Sequence, residues 1–269
     1  MQKTILITGS TDGIGLETAK MLVSQGHHVL LHGRNAEKLD AVKQKLSALA
    51  GAGSIGSYVA DLSRMADVET LANEVSEKHN QLDVLINNAG VFKTPNPITR
   101  DGLDVRFAVN TLAPYLLTKK LLPLMNTSGR VINLSSAAQS PVNPEALAGR
   151  VRLPDDLNAY AQSKLAITMW SYSLAHSLKD KGPVVIAVNP GSLLATKMVK
   201  EGFGMAGKDI RIGADIITRL ALADEFENDS GRYFDNDSGQ FTSPHHDALD
   251  PQKSEKIVGV IEAILAETL

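Results

Sequence analysis

The sequence contains no cysteine, one tryptophan and few aromatic residues, 4% in all. The lack of cysteine excludes disulfide bonds, thiolate catalysis and cysteine-ligated metal, and it is compatible with a reducing compartment. An excess of charge is lacking too, because the net charge is only −3 at pH 7. We therefore expect neither nucleic acid nor an anionic membrane as a partner.

Long hydrophobic runs are also missing. No stretch approaches the roughly 18 apolar residues that a membrane helix needs. Residues 1–8 lead directly into a glycine-rich segment and leave no room for a signal peptide, so we expect a soluble, cytoplasmic protein. The sequence shows no linker, repeat or low-complexity segment, and we expect residues 1–269 to form a single domain.

Apolar, β-branched runs alternate along the chain with segments of helical periodicity. The runs are 3–8, 28–33, 55–60, 83–87, 130–135 and 184–189, and helical segments after the first are about 36–50, 64–79, 101–125, 158–180, 209–223 and 251–267. This order predicts an α/β fold, a doubly wound Rossmann-type parallel sheet in three layers, with its ligand at the carboxyl ends of the strands. We interpret residues 228–247, rich in Gly, Asp and Asn, as a surface excursion.

A glycine-rich turn with the spacing G-x-x-x-G-x-G joins the first strand to the first helix. Glycine permits positive φ and lets backbone N–H groups approach a pyrophosphate at a helix N-terminus. The predicted cofactor-binding residues are Thr8, Gly9, Ser10, Thr11, Asp12, Gly13, Ile14 and Gly15. A tight turn without a ligand is the alternative. The Asp12 carboxylate would cap the helix or accept from a ribose hydroxyl, and its charge argues against a nearby 2′-phosphate.

The end of the second strand bears on the type of dinucleotide. An acidic residue about 20 positions after the glycine loop would bind the ribose of NAD, but His32-Gly33-Arg34-Asn35 contains none. The Arg34 guanidinium suits a 2′-phosphate. We therefore expect NADP, with NAD as the alternative, although Arg34 could also be an ordinary solvated charge.

Two further strand ends border the same crevice. Asp61, followed by Leu62, would accept from the adenine amino group or cap the next helix. Asn88, Ala89 and Gly90 offer small side chains and an amide where backbone must approach a cofactor, although they could equally form a polar loop.

Tyr160 and Lys164 are four residues apart on a predicted helix, so both side chains face the same way. An ammonium near a phenol favours the phenolate and lowers its pKa from about 10. Such a tyrosine can exchange a proton with an alcohol or a carbonyl. A solvated helix face would explain this spacing alone, but Ser136 at the end of the fifth strand borders the same crevice.

Together these motifs make the sequence similar to the short-chain dehydrogenase/reductase family. The matching segments, in the family's order, are T-G-x-x-x-G-I-G at 8–15, N-N-A-G at 87–90, V-N-T-L at 109–112, Ser136, Y-x-x-x-K at 160–164 and P-G at 190–191. The resemblance implies that Tyr160 is the general acid/base and that Ser136 holds the substrate oxygen. Lys164 would bind the nicotinamide ribose and stabilise the phenolate, and Asn110 would hold a water in a proton relay.

Two departures from the family pattern concern the substrate crevice. Ser136 and Tyr160 are 24 positions apart, about twice the usual separation, which is similar to the carbonyl reductase and retinol dehydrogenase-like branches. We expect the insert 138–159 to lie over the crevice and to leave open whether the protein is a homo-oligomer or a monomer. The resemblance places Pro190, Gly191 and Thr196 at the nicotinamide, although Thr196 comes one position later than usual.

These observations predict an NAD(P)-dependent oxidoreductase that transfers a hydride between the nicotinamide and a carbonyl or alcohol substrate. We expect an apolar aldehyde or ketone, because the segment 192–210, which would cover the crevice, contains several apolar residues that would line the pocket. Core packing explains its apolar residues equally well; they are Leu193, Leu194, Met198, Phe203 and Met205.

Other functions are weighed against this one. A non-catalytic NADP-binding sensor or interaction protein with the same fold is the main alternative. A nucleotide-sugar epimerase would show a different glycine spacing and a larger C-terminal domain. His245-His246-Asp247 lacks a clear third partner, and no metal is expected.

Overall fold

The computed structural model describes residues 1–49 and 51–269, apart from the side chain of Phe203. Within this part of the chain one sheet contains β1 Thr4–Ile7, β2 His28–Gly33, β3 Ile55–Val59, β4 Val84–Asn87, β5 Arg130–Leu134, β6 Val184–Asn189, β7 Tyr233–Asp235 and β8 Gln240–Thr242. The strand order is β3-β2-β1-β4-β5-β6-β7-β8. Neighbouring strands are parallel except β7 and β8, which are antiparallel. The predicted doubly wound fold is confirmed.

Helices cover both faces of this sheet and complete three layers. They are α1 Gly13–Ser24, α2 Ala36–Ser47, α3 Met65–Lys78, α4 Val105–Phe107, α5 Ala113–Leu121, α6 Pro144–Leu147, α7 Asp156–Leu178, α8 Lys197–Phe203, α9 Arg211–Leu222 and α10 Pro251–Thr268. Residue 50, the predicted end of the second helix, lies outside the described residues. Among those described, no helix is both long and apolar enough to cross a membrane.

The pleat of the strands gives each helical layer its own apolar core. Leu6 of β1 faces one cluster with Val68 of α3 and Trp170 of α7. Ile5 and Ile7 face the opposite cluster, which contains the buried residues of α1, α2 and α9. Because successive side chains of a strand point to opposite faces, a strand covered on both sides is apolar throughout. This explains why six of the strands are visible as continuous apolar runs.

The interpretation of residues 228–247 as a surface excursion is wrong. This segment contains β7 and β8, which extend the sheet beyond β6. Phe234 of β7 is only 4% exposed and meets Phe241 of β8 edge to face, with 5.1 Å between ring centres. The hairpin is therefore part of the folded core.

The helix expected over 101–125 is shorter and interrupted. It begins only after Asp104, whose carboxylate accepts a hydrogen bond from the backbone N–H of Arg106 (2.9 Å). A π-helical turn, Ala108–Leu112, then separates α4 from α5. Such turns add one residue to the helical repeat and occur frequently at functional sites.

Candidate active site

Tyr160 and Lys164 lie near the start of α7, at the carboxyl edge of the sheet. Asp155 begins this helix by accepting a hydrogen bond from the backbone N–H of Asn158 (2.7 Å). The Lys164 Nζ lies 5.6 Å from the centre of the Tyr160 ring and donates to the carbonyl of Leu134, the last residue of β5 (2.7 Å). The end of the strand therefore holds the ammonium beside the phenol.

The two serines that follow β5 have different partners. The buried Ser135 hydroxyl contacts the Lys164 carbonyl (2.9 Å) and the Thr168 hydroxyl (2.7 Å), and so ties the strand to α7. The side chain of Ser136 lies beside the Tyr160 phenol and acts to lower its pKa. The structure thus brings Ser136, Tyr160 and Lys164 together, as the sequence pattern suggests.

The backbone at Ser136 is held by residues that the sequence reasoning missed. Its carbonyl accepts hydrogen bonds from the Tyr233 hydroxyl (3.0 Å) and the Gln139 amide (2.9 Å). Tyr233 belongs to β7 and is 6% exposed. The edge of the sheet therefore supports the loop that presents Ser136.

Burial controls the protonation of the tyrosine–lysine pair. Desolvation raises the pKa of the Tyr160 phenol, and the contact with Ser136 only partly opposes this rise. Desolvation also lowers the pKa of Lys164 to about 8. The result differs from the expected fall in the pKa of the tyrosine, because the loss of solvent around the phenol outweighs the opposing effect of Ser136. At neutral pH the phenol is protonated.

Asn110 lies in the π-helical turn, and the protein engages its whole side-chain amide. Its Oδ1 accepts from the backbone N–H of Val91 (2.8 Å), and its Nδ2 donates to the Val91 carbonyl (3.0 Å) and the Ser163 hydroxyl (2.9 Å). Both amide hydrogens are therefore used. A water held by Asn110 could therefore only donate to it, at the second lone pair of Oδ1 or at the backbone carbonyl.

The glycine loop has the shape that its sequence predicts. Gly9 and Gly13 have φ values of +65° and +58°, which glycine adopts without steric cost. A Cβ at Gly15 would lie 2.3 Å from Nδ2 of Asn88, whose amide donates to the carbonyls of Thr8 (2.8 Å) and Gly9 (3.0 Å). The first-turn N–H groups of α1 lack intrahelical acceptors and suit an anion.

The loop after β4 supports both the glycine loop and the active site. The Thr8 hydroxyl accepts from the backbone N–H groups of Asn88 (3.0 Å) and Ala89 (3.1 Å). A Cβ at Gly90 would lie 3.6 Å from the Nζ of the active-site lysine. Ile14, by contrast, packs against the apolar cluster of its helical layer.

His32 of β2, which the sequence reasoning missed, also holds the glycine loop. Its ring is 3% exposed; Nδ1 accepts from the backbone N–H of Gly9 (3.0 Å), and Nε2 faces the Ala60 carbonyl (3.1 Å). Ser10 bonds to the backbone of His32, donating its N–H to the carbonyl (3.0 Å) and accepting the amide N–H at its hydroxyl (2.9 Å). Burial lowers the pKa of His32 to about 4.

Asp12 is paired with a cation that the sequence reasoning did not identify. Its carboxylate caps α1 by accepting the first backbone N–H (2.8 Å) and accepts from the Lys38 ammonium of α2 (2.8 Å). The hydrogen bond with Lys38 is the main cause of its lowered pKa. Arg34 is exposed, and no acidic group of the described residues pairs with it. A Cβ at Gly33 would lie 2.6 Å from the Thr11 methyl. The end of β2 therefore touches the glycine loop beside Arg34.

Asp61 closes a turn and does not cap a helix. Its Oδ1 accepts from the backbone N–H (3.0 Å) and the hydroxyl (2.8 Å) of Ser63. The N-cap of α3 is Arg64, whose side chain makes no capping bond. Leu62 is 6% exposed and packs in the α3 layer. Contact of Asp61 or Leu62 with a cofactor stays a prediction.

The segment 192–210 faces the glycine loop across the crevice. Thr196 caps α8, and its methyl lies 3.8 Å from the position of a Cβ at Gly13. The methyl of Met198 lies 3.7 Å from the position of a Cβ at Gly90. These contacts place the segment beside both cofactor-binding loops.

The base of this segment is closed by backbone and side-chain bonds. Lys208 donates its backbone N–H to the Leu193 carbonyl and accepts from the Ala195 N–H, both at 2.7 Å. Asp237, in the turn between β7 and β8, accepts from the backbone N–H of Ser192 (2.9 Å) and lies 4.0 Å from the Lys208 ammonium. One carboxylate therefore contacts both ends of the segment.

Pro190 and Gly191 connect β6 to this segment, with a φ of +124° at Gly191. Leu194 is 2% exposed and packs beneath Gly191, whereas Met205 is 49% exposed. The side chain of Phe203 lies outside what the structure describes. Some apolar residues of the segment are thus buried in the fold, and others are exposed to solvent.

The insert 138–159 contains the short helix α6 and the first residues of α7, and it is not one regular helix, as its prolines suggest. The backbone N–H of Asn143 donates to the Gln162 side chain of α7 (2.9 Å). Ala146 and Leu147 are buried in the core cluster of the α7 layer. The insert is therefore anchored beside the active-site helix, and its covering of the crevice stays a prediction.

His245, His246 and Asp247 bring ligand-type atoms within 4.8 Å of one another. Their atoms already have partners. The His245 Nδ1 accepts from the backbone N–H of Asp247 (3.2 Å), and the Lys253 ammonium binds the Asp247 carboxylate. We propose no metal here.

The residues around the crevice fit a nicotinamide dinucleotide. The positive-φ glycines and the N-terminus of α1 suit a pyrophosphate. Arg34 lies toward one end of the glycine loop, and Lys164 lies beside Gly90 at the other end of the crevice. The donors are thus spread over a length that a dinucleotide would span.

Comparisons with known proteins point to one family. Residues 3–205 match the family model described as short chain dehydrogenase. Retinol dehydrogenase 13 of Mus musculus is 32% identical over 260 residues, which cover 90% of this chain and 78% of the relative. A solved structure of an uncharacterized protein from Mycobacterium paratuberculosis is 26% identical with a TM-score of 0.82, covering 98% of this chain and 94% of that one. RhlG of Pseudomonas aeruginosa, solved as an NADP active-site complex, is 25% identical with a TM-score of 0.67, covering 87% and 94%.

Proposed function

Because the chain belongs to the short-chain dehydrogenase family and is an NAD(P)-dependent oxidoreductase, we propose that it reduces an apolar aldehyde or ketone with NADPH. The observation that carries this proposal is the contact of Ser136 with the Tyr160 phenol, beside the ammonium of Lys164. These groups lie at the carboxyl edge of the sheet, where open α/β folds bind their ligands.

In this reaction a bound nicotinamide supplies the hydride, and the chain supplies the proton. The Tyr160 hydroxyl donates its proton to the substrate oxygen as negative charge develops there. The Ser136 hydroxyl donates a hydrogen bond to the same oxygen and orients it. The Lys164 ammonium stabilises the phenolate that forms. The Tyr160 phenol is protonated at neutral pH, as the proton donor in a reduction must be.

The phenolate must regain a proton from solvent after each turnover. Lys164 is the neighbouring proton donor, and Asn110 lies close to the same loop, since a Cβ at Gly90 would be 3.6 Å from both side chains. In this relay Asn110 would act as a hydrogen-bond acceptor for the water, because both of its amide hydrogens are engaged with Val91 and Ser163.

The charges around the glycine loop support NADPH as the cofactor, with NADH as the alternative. The carboxylate of Asp12 is compensated by Lys38 at 2.8 Å. Arg34 has no acidic partner among residues 1–49 and 51–269, and its guanidinium suits the 2′-phosphate. The similar protein RhlG was solved as an NADP complex.

The side chains nearest the active-site tyrosine support an apolar substrate. The Phe92 ring meets Tyr160 edge to face, with 5.1 Å between ring centres, and Met198 faces Gly90. The mouse relative is named for retinol, an apolar alcohol. We infer a small-molecule substrate whose carbonyl is flanked by hydrocarbon.

The catalytic assignment is tested with Tyr160→Phe and a matched control, Tyr172→Phe. Both tyrosines belong to α7, but Tyr172 packs against His176 with 5.0 Å between ring centres. Tyr160→Phe should lower kcat/KM for NADPH-dependent reduction of a carbonyl panel by about a thousandfold. The Kd for NADPH should not change, and the control should behave as the wild type.

Two outcomes would contradict the proposal. Full activity in Tyr160→Phe would remove the tyrosine from the reaction. Tight NADPH binding by the wild type without turnover of any aldehyde or ketone would favour a sensor instead. The cytoplasmic location and the choice between a monomer and a homo-oligomer stay predictions.

A further inference from the structure

We propose that His32 is a positioning residue of the cofactor site, which fixes the glycine loop through a hydrogen bond to Gly9. This inference rests on the proposed binding of NADPH. Gly9 and His32 are adjacent only because β1 and β2 are parallel neighbours in the sheet. The side chain therefore links the turn after the first strand to the end of the second.

The hydrogen bonds identify the tautomer of the ring. The Ala60 carbonyl can only accept, so the proton of His32 lies on Nε2 (3.1 Å). Nδ1 is then an acceptor, and the backbone N–H of Gly9 donates to it at 3.0 Å. The ring is 3% exposed, so its bonds cannot readily be replaced by bulk water. The charged group that acts on it is Asp61.

This arrangement fixes the two peptide groups that flank Gly9. The N–H of Gly9 is held by His32, and its carbonyl accepts from the Asn88 amide (3.0 Å). The φ of Gly9 is +65°, a value at which the chain turns sharply toward α1. An apolar residue at position 32 would leave the partly buried N–H of Gly9 without this acceptor, which is costly. His32 therefore does more than fill an apolar strand.

Because His32 makes two hydrogen bonds, two substitutions can remove them one at a time. Asn places its Oδ1 near the position of Nδ1 in His, and Gln places its amide nitrogen near that of Nε2. His32→Asn should keep the bond to Gly9 and lose the bond to Ala60. His32→Gln should keep the bond to Ala60 and lose the bond to Gly9. Both leave one partner unsatisfied, so each is a control for the stability cost of the other.

The experiment measures the Kd of NADPH by fluorescence titration together with urea unfolding of the same proteins. His32→Gln should bind NADPH about tenfold more weakly, the loss that corresponds to one hydrogen bond of about 1.4 kcal/mol. His32→Asn should stay within about twofold of the wild type. The KM for NADPH should follow the Kd, and kcat at saturating NADPH should change little.

The outcomes separate this inference from the function on which it rests. If the wild type binds neither NADPH nor NADH, the proposed function fails. If the wild type binds NADPH and the two variants have the same Kd, the inference about His32 fails while the function stands. Weaker binding that matches the loss of unfolding free energy in both variants would give His32 a purely structural role, and would also overturn the inference.

Discussion

The buried His32 should make the stability of the protein sensitive to mild acid. Its pKa falls from 6.5 in the unfolded chain to about 4 in the folded protein, because burial disfavours the charged ring. Between these values the unfolded chain binds one proton more than the folded protein. The contribution of His32 to the free energy of unfolding should therefore be fully present above about pH 6.5. It should decrease as the pH falls toward 4.

The size of the effect follows from the two pKa values. At about pH 5 the histidine of the unfolded chain is almost fully protonated, whereas His32 in the folded protein is still mostly neutral. Linkage then gives a loss of about 2 kcal/mol between pH 7 and pH 5 from this residue alone. Typical domains are stabilised by roughly 5–15 kcal/mol, so this loss is a large fraction of the total.

Urea unfolding of the wild type and of His32→Asn at the two pH values measures this contribution. Asn does not titrate, so the variant should lose about 2 kcal/mol less than the wild type on acidification. His27, His79 and His245 also have lowered pKa values, but they are present in both proteins and cancel in the difference. Equal losses in the two proteins would refute a buried, neutral His32 and the bond to Gly9 that depends on it.

Four further substitutions test the cofactor site and the segment that faces it. Arg34→Ala should raise the KM for NADPH by about tenfold or more and leave that for NADH unchanged, since a charge-assisted hydrogen bond is worth about 1.5–3 kcal/mol; equal changes would exclude a 2′-phosphate contact. Lys38→Met should weaken NADPH binding more than NADH binding, because Asp12 would lose its counter-charge. Adding Asp12→Asn should restore NADPH binding, and a double variant that binds as weakly as Lys38→Met would argue against the role of the Asp12–Lys38 pair. Asp237→Asn should raise the KM for the carbonyl substrate about fivefold with little change in the Kd of NADPH; an unchanged KM would dissociate Asp237 from the segment 192–210.

The central strands could be predicted because burial on both faces makes each a continuous apolar run. The hairpin strands β7 and β8 could not. β7 and β8 are three residues long, and the polar residues around them resemble a surface turn. Their strand conformation depends on pairing with β6, which no local pattern encodes. The π-helical turn at Asn110 was missed for a related reason, since its sequence is also compatible with an α-helix.

The residues of the candidate site also divide into those that a local pattern predicts and those that depend on distant partners. Tyr160 and Lys164 are visible because one helical turn brings them together. The roles of His32 and Lys38 depend on partners 23 and 26 residues away, Gly9 and Asp12. A histidine inside an apolar strand and a lysine on a solvated helix carry no signal of such contacts. The pKa of Tyr160 could not be foreseen either, because it depends on how completely the phenol is desolvated.

The hairpin at the edge of the sheet ties together the two sides of the proposed substrate site. Tyr233 of β7 bonds to the carbonyl of Ser136, and Asp237 in the following turn contacts Ser192 and Lys208. The group that would orient the substrate oxygen and the segment that would cover the substrate are therefore held by residues four positions apart. A displacement of this turn would move both at once. Substrate binding and orientation should consequently depend on the hairpin as a unit, although none of its residues takes part in the chemistry.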